Sequence, residues 1–419
     1  MASQNSIIHP WRVALLYAAT ALLLIVAPPS AQAHCAGKHT GDHPHCSGEE
    51  PPPPPADFNP ELVWIKDGQH IVVANRDGTN PTIIFTRSSG QAMSSVSWSP
   101  GGLEILFPIT EGPQGPGIYR LPIFDGVADA THPRGNFSVG APTRVGASQP
   151  GVSFISRAHW SPVPAPDGNY WIAFTAYVSE TENCNEVFLI NPADAGGQPI
   201  SLDVCPRFAD DLTWSPDGTR LAVTTAVGAI GDLEIFSLEA GGPGLVVSDH
   251  VSLLLGNEFL DPTSDLANSY LDKMDWSNTL TRNEIVASGG GLWIIPVPDT
   301  DPSSLQWTVA NETAVAIGDD QVGRWLPAWS ADDTALLYRR EYDRDGGGIC
   351  DVPPLSGKGK NKNFRDLAIG VLDNGAPNDD PDKIECVEPD DETALNVDGV
   401  WAQWWRGTFP QPPLPLPSP

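Results

Sequence analysis

The chain has 419 residues but only three methionines, and no long stretch rich in alanine, glutamate, lysine and leucine. That composition argues against a body built of long helices. Basic residues are scarce as well: 23 Lys and Arg stand against 52 Asp and Glu, a net charge of −29. A field of this sign repels nucleic acid and anionic lipid, which removes both as partners and leaves cationic groups or a divalent metal ion as candidates. Beyond the apolar run Val13–Ala27 there is no second apolar segment, so nothing is expected to stay in a membrane once that run is removed. Gly-x-Ser-x-Gly and Cys-x-x-Cys are both missing, which excludes a nucleophile-elbow hydrolase and a dithiol redox site. His70, His132, His159 and His250 are far apart in the body, and no spacing among them points to a catalytic triad.

Glycine (40) and proline (43) together make up about a fifth of the residues, while hydrophobic residues reach 40% and tryptophan fourteen. Many turns with ample apolar material predict an all-β class. Arg12, the run Val13–Ala27 and the small-residue ending Ala31-Gln32-Ala33 have the parts of a secretory signal peptide spanning 1–33, the alternative being an uncleaved anchor. Export to the periplasm or outside the cell follows as an expectation. Removing 1–33 takes away one Arg and no acid. Residues 34–60 then form a His/Cys-rich arm with the stiff linker Pro51–Pro55, and 407–419 a Pro-rich tail that cannot pair as a strand.

The strongest signal is internal repetition. Trp214-Ser215-Pro216-Asp217-Gly218 precedes the strand Leu221-Ala222-Val223-Thr224. The pattern returns at Trp98-Ser99-Pro100-Gly101-Gly102, at Trp160-Ser161-Pro162 with Asp167-Gly168 delayed, at Trp276-Ser277, at Trp329-Ser330-Ala331-Asp332-Asp333, and in degenerate form at Trp404. The intervals are 62, 54, 62, 53 and 75 residues. In each unit an apolar strand ends in Trp, Pro and Gly supply a turn, and a second strand returns antiparallel. Two residues before each Trp stand Val96, Ala158, Leu212, Met274, Pro327 and Ala402, apolar as a buried face requires. Four such strands repeated radially make a propeller.

These residues resemble the Trp/Asp-related repeat of TolB-type propellers, over roughly residues 61–406. The Trp-Asp ending of WD40 repeats is absent. The resemblance implies a six-bladed β-propeller closed by pairing of its N- and C-terminal strands. Leu62–Ile65, Ile71–Asn75 and Thr82–Phe85 lack an inner strand, and Val400–Trp405 lacks outer ones; joined, they leave no open sheet edge.

Several groups stand out as candidate sites. Three residues before each Trp lie Ser95, Arg157, Asp211, Lys273, Leu326 and Trp401, with Asp210 and His159 beside them. Propellers hold ligands at the channel-facing ends of these strands, so Arg157, His159, Asp210, Asp211 and Lys273 form either a ligand cluster or a solvated mouth. His34, His39, His43 and His45 lie with Cys35 and Cys46 among the thirteen residues His34–Cys46, a density able to bind copper, nickel or zinc, against the plainer reading of a small disulfide loop. Asp343, Asp345 and Asp351 alternate in a Gly-rich loop, calcium-like but without the EF-hand pattern, and equally a repeat turn. Six cysteines in an exported chain suggest disulfides, and the repeats favour the neighbours: Cys35 with Cys46, Cys184 with Cys205, Cys350 with Cys386. The function expected is a scaffold binding a protein or other macromolecule. A channel enzyme of the polysaccharide-lyase or lactonase type is the alternative.

Overall fold

A computed structural model describes most of residues 58–406. Residues 1–57, 253–270, 298–314, 343–363, 372–391 and 407–419 lie outside the description, with intervening segments of one to six residues. The segment expected to be a signal peptide, the histidine arm, the acidic loop at Asp343, Asp345 and Asp351, and all cysteines but Cys184 fall among them.

Among the described residues the strands form six antiparallel sheets. Five are consecutive meanders, named here by the tryptophan that ends the inner strand. The Trp98 sheet comprises Ala92–Met93, Ser97–Trp98, Glu104–Glu111, Gly117–Pro122 and Thr143–Val145; the Trp160 sheet Val152–Trp160, Ile172–Val178, Cys184–Ile190 and Ile200–Ser201. Next come the Trp214 sheet, Phe208–Trp214 to Gly244–Ser252, and the Trp276 sheet, Lys273–Trp276 to Val315–Ile317. The Trp329 sheet runs from Val322–Trp329 to Glu392–Ala394. The sixth sheet pairs Leu62–Lys66, His70–Ala74 and Thr82–Thr86 with Val400–Trp404. Each inner strand lies against the inner strands of the sheets before and after it. The chain is an all-β propeller.

The first and second strands of the sheets are buried on both faces, because every sheet is packed between two others. In the second strand of the Trp98 sheet, Ile105 and Phe107 join one apolar cluster and Leu106 another. Leu62 and Trp64 face the Trp329 sheet with Ala328 and Leu337, while Val63 and Ile65 face the Trp98 sheet. This is why strands such as Leu62-Val63-Trp64-Ile65 read as continuous apolar runs, and why the rule of one buried face describes only half of each strand.

The Ser-x-Asp turns are built alike. Ser215 Oγ accepts from Arg220 N (2.9 Å) and donates to Asp217 Oδ1 (2.6 Å), which also accepts from Thr219 N (3.0 Å). Ser330, Asp332 and Thr334 repeat the arrangement. Gly218 takes φ +67°, and Asp333 takes φ 55° in the equivalent turn, positions a glycine accepts at no steric cost. Burial works to raise the Asp332 carboxyl, but hydrogen bonds from Ser330 and Thr334 and the charge of Arg76 outweigh it and hold the group at about 2.

Candidate functional site: the central channel

The inner strands are kinked where they approach the axis, and the kinks decide which side chains face it. In Phe208–Trp214 the pairing passes from Ala209↔Thr225 to Asp211↔Thr224, leaving Asp210 as an extra residue. A bulge of this kind re-aims side chains. In a regular strand Asp210 and Asp211 would point to opposite faces. Here both reach channel residues: Asp211 Oδ1 lies 2.8 Å from Arg157 Nε, and Asp210 Oδ1 lies 3.0 Å from Lys273 Nζ. Similar irregularities occur at Ser156, opposite Thr175 and Ala176, and at Leu326, which takes φ 61°.

Arg157, Asp211, Lys273 and His159 line one cavity of about 40 Å³ together with Asp275 and Gln403. A second cavity, about 50 Å³, lies toward the turns and is lined by Trp98, Trp160, Trp214, Trp405 and Arg406. His159 and Gln403 border both. The four sequence-singled residues Arg157, Asp210, Asp211 and Lys273 therefore come together, with His159 deeper along the same channel. Arg157 and Asp211 are almost wholly buried, at 4% and 5% side-chain exposure. Burial raises the Asp211 carboxyl, while Arg157, Lys273 and the amide of Met274 (2.9 Å) pull it back only in part.

The residue immediately before each Trp forms a second ring that the sequence reading passed over, apart from His159. Thr213 Oγ1 accepts from Trp276 N (3.1 Å), Asp275 Oδ2 from Trp329 N (2.8 Å) and Gln403 Oε1 from Trp98 N (3.0 Å). Ser97 Oγ donates to Ala158 O (3.2 Å). Each bond joins one inner strand to the next. The signal was available as a fixed offset from the repeated Trp, but the types differ at every copy, so no motif is visible. Asp275 is 3% exposed and its second oxygen pairs with Arg406 Nη2. Burial raises its carboxyl against the pull of Arg406.

The enclosed ring of His159 is depressed to about 3, first by burial and then by the charges of Arg157 and Arg406. Its folded-state value lies below the unfolded one near 6.5, so the proton is taken up on unfolding and stability falls as the pH drops below about 6.5. The slope is at most about 1.4 kcal/mol per pH unit for one proton. The Asp332 turn adds a second loss between about 4 and 2, because its depressed carboxylate must be protonated there. Urea melts across this range should show both limbs. His159→Gln is expected to flatten the limb between about 6.5 and 4 and leave the lower one; an unchanged upper limb would show that His159 is not its source.

Of the cysteines, Cys184 is fully buried at the start of its strand and is disulfide-bonded; its expected partner Cys205 lies outside the described residues. Among the described residues no helix is long and apolar enough to cross a membrane, and no group of three His, Cys, Asp or Glu is arranged to hold a metal ion.

Among solved structures the chain is similar to TolB from Acinetobacter baumannii, at 14% identity and TM-score 0.46, over 83% of this chain and 67% of that one. It is similar to the Cps50 (Swd1) β-propeller domain from Myceliophteria thermophila, at 13% identity and TM-score 0.41, over 76% and 85% of the two chains. A gluconolactonase from Xanthomonas campestris also matches, at 11% identity and TM-score 0.39, over 68% and 84%. No family model matches the sequence, and no curated protein does. The all-β propeller rests on the chain's own sheets, and its solved neighbours include a TolB, a propeller domain and a gluconolactonase.

Proposed function

We propose that the protein is an exported six-bladed propeller of TolB type that binds a macromolecular partner, most simply a protein, at the open end of its channel. One observation carries the binding reading. Phe154 and Phe208 occupy the same position, six residues before Trp160 and Trp214, on adjoining inner strands, and both are exposed, at 37% and 41%. Exposed aromatics placed alike at a rigid rim are the usual anchors of an interface. Arg157 with Asp211 and Lys273 with Asp210 neutralise one another, which supports a channel wall stiffened by ion pairs over a ligand cluster. The N-terminal segment 1–33 supports export, and Cys184 in a disulfide agrees with an oxidising compartment.

The six-blade reading, closed by both termini, has its own support. Leu62 pairs with Trp404 as Ile172 pairs with Trp160, Leu221 with Trp214 and Leu336 with Trp329. Val400–Trp404 lies against both Val322–Trp329 and Ser97–Trp98. Arg134 clasps the junction: its guanidinium stands 4.3 Å from the Phe124 ring and 4.1 Å from Trp405, and donates to Pro60 O (2.7 Å). The His34, His39, His43, His45 arm as a metal-binding segment, the acidic turn at Asp343 and the remaining disulfides belong to the same proposal.

The test is site-specific capture. Full-length mature protein with a photo-crosslinker at Val247, a partly exposed control site, and at Phe154 is presented to envelope extract. Specific capture at Phe154, abolished by Phe208→Asp without a change in melting, is the expected outcome. Equal capture at both sites, or capture untouched by Phe208→Asp, overturns the reading. A channel enzyme remains the second reading because neutral His159 stands beside Arg157 in the channel. Turnover by the same preparation on glycan or lactone panels would favour it over the scaffold.

A further inference from the structure

We propose that the tryptophan-lined end of the channel is a guanidinium receptor, in which Asp275 accepts an arginine side chain and Arg406 of the same chain fills the place in the free protein. The inference rests on the binding reading above and names the chemistry of the group bound.

The place of Arg406 in the repeat is the first argument. Trp98, Trp160 and Trp214 are each followed by Ser-Pro, which turns the chain into a second strand. Trp404 is followed by Trp405 and Arg406 instead, and among the described residues no second strand succeeds it in its sheet. Freed from the turn, Trp405 lies against Gly102, where a Cβ would meet its ring at 2.5 Å, and donates from Nε1 to Pro100 O (3.2 Å). The next residue, Arg406, points inward to Asp275.

The acceptor is held in a fixed direction, with one oxygen toward the guanidinium. Asp275 Oδ2 is held by the Trp329 amide at 2.8 Å, and Thr213 Oγ1 lies 3.4 Å from Oδ1, the oxygen that meets the guanidinium. The carboxylate therefore cannot swing away. The strand between the two partners, Val322–Trp329, carries Ala328 where its counterparts carry Ser97, His159, Thr213, Asp275 and Gln403. That small residue leaves the span from Arg406 to Asp275 open. Arg406 lines the space bordered by Trp98, Trp160, Trp214 and Trp405, and Asp275 lines the adjoining one; the rings are flat apolar surfaces on which a weakly hydrated guanidinium stacks better than an ammonium.

The occupant is exchangeable by design of the chain. Arg406 belongs to no ladder among the described residues and keeps 21% side-chain exposure, whereas Asp275 keeps 4%. An arginine presented by a partner can take the same carboxylate in the place that Arg406 vacates.

The full-length protein, wild type and Arg406→Gln, is titrated calorimetrically with N-acetylarginine amide and, in parallel, N-acetyllysine amide. Arg406→Gln should bind the arginine probe at least tenfold more tightly than wild type and at least tenfold more tightly than it binds the lysine probe. Asp275→Asn added to Arg406→Gln should abolish the gain. If Arg406→Gln does not fold, Arg406→Lys takes its place, because a lysine is the weaker occupant and should be displaced by the arginine probe. No gain in the folded variant, or an equal gain with Asp275→Asn present, overturns the proposal. No macromolecule enters this titration, so its failure leaves the capture experiment at Phe154 standing, and failure of capture leaves the probe result readable.

Discussion

Deleting residues 400–419 is expected to abolish cooperative folding, while deleting 410–419 should leave the melting curve almost unchanged. The first deletion removes the strand that pairs with Leu62–Lys66, together with Ala402, which is buried among Leu62, Trp64, Val72, Ala74 and Leu337. It also strips Gln403 from the Trp98 amide and Trp405 from the Arg134 guanidinium. Arg134 is buried enough that its proton affinity falls to about 10 despite the nearby Glu61, and without its aromatic walls that burial has no compensation. Lost pairing, an exposed apolar edge and an uncompensated cation together exceed about 5 kcal/mol, the lower end of the stability of an ordinary domain. The second deletion removes a segment in which proline recurs and which can add nothing to a ladder. Differential scanning calorimetry of both truncations decides the matter. Two endotherms like that of the full protein would place the closure of the sheet elsewhere and remove the six-blade reading with it.

Arg157→Met should cost about 3–5 kcal/mol, the usual penalty for leaving one member of a buried ion pair behind. Asp211 would remain in the channel with the Met274 amide and the more distant Lys273 as its stabilising partners. Replacing both members, Arg157→Met with Asp211→Leu, should recover much of the loss, because a matched apolar pair needs no desolvation of charge. The pH dependence distinguishes this from a packing defect. With Arg157 gone the carboxyl of Asp211, already raised by burial, rises further above its unfolded value. Protonation then favours the folded state, so the deficit of the single variant shrinks as the pH is lowered. Urea melts at two pH values for wild type, single and double variants measure it. A deficit that is constant with pH, or a double variant no better than the single, would show that the pair contributes nothing as a pair.

The repeated Trp, the Ser-Pro turn and the apolar residue two places earlier were enough to locate the inner strands, because turn chemistry and strand pairing act over a few residues. Trp214-Ser215-Pro216-Asp217-Gly218 needs no distant partner to become a turn: Ser215, Asp217 and Thr219 satisfy one another. The fixed offset from Trp also brought Arg157, Asp211 and Lys273 to one place before any contact was known. Packing was less legible. The sequence shows that Val63 and Trp64 are apolar, but only the assembled sheets send one toward Trp98 and the other toward Trp329.

What the sequence by itself determined is therefore local and periodic: an all-β chain, its repeat, its turns and the positions facing the axis. Tertiary structure alone decided who meets whom there. Asp210 and Asp211 share the channel only because one extra residue bulges the strand. Asp275 meets Arg406, 131 positions away, only when the Trp276 strand and the segment after Trp404 are brought to the same channel. His159 stays neutral first because the assembled strands bury it, and then because Arg157 of its own strand and Arg406 from a distant segment both oppose its charge. Offsets along a strand follow from backbone geometry, whereas charge, burial and reach across the channel depend on every inner strand being in place at once.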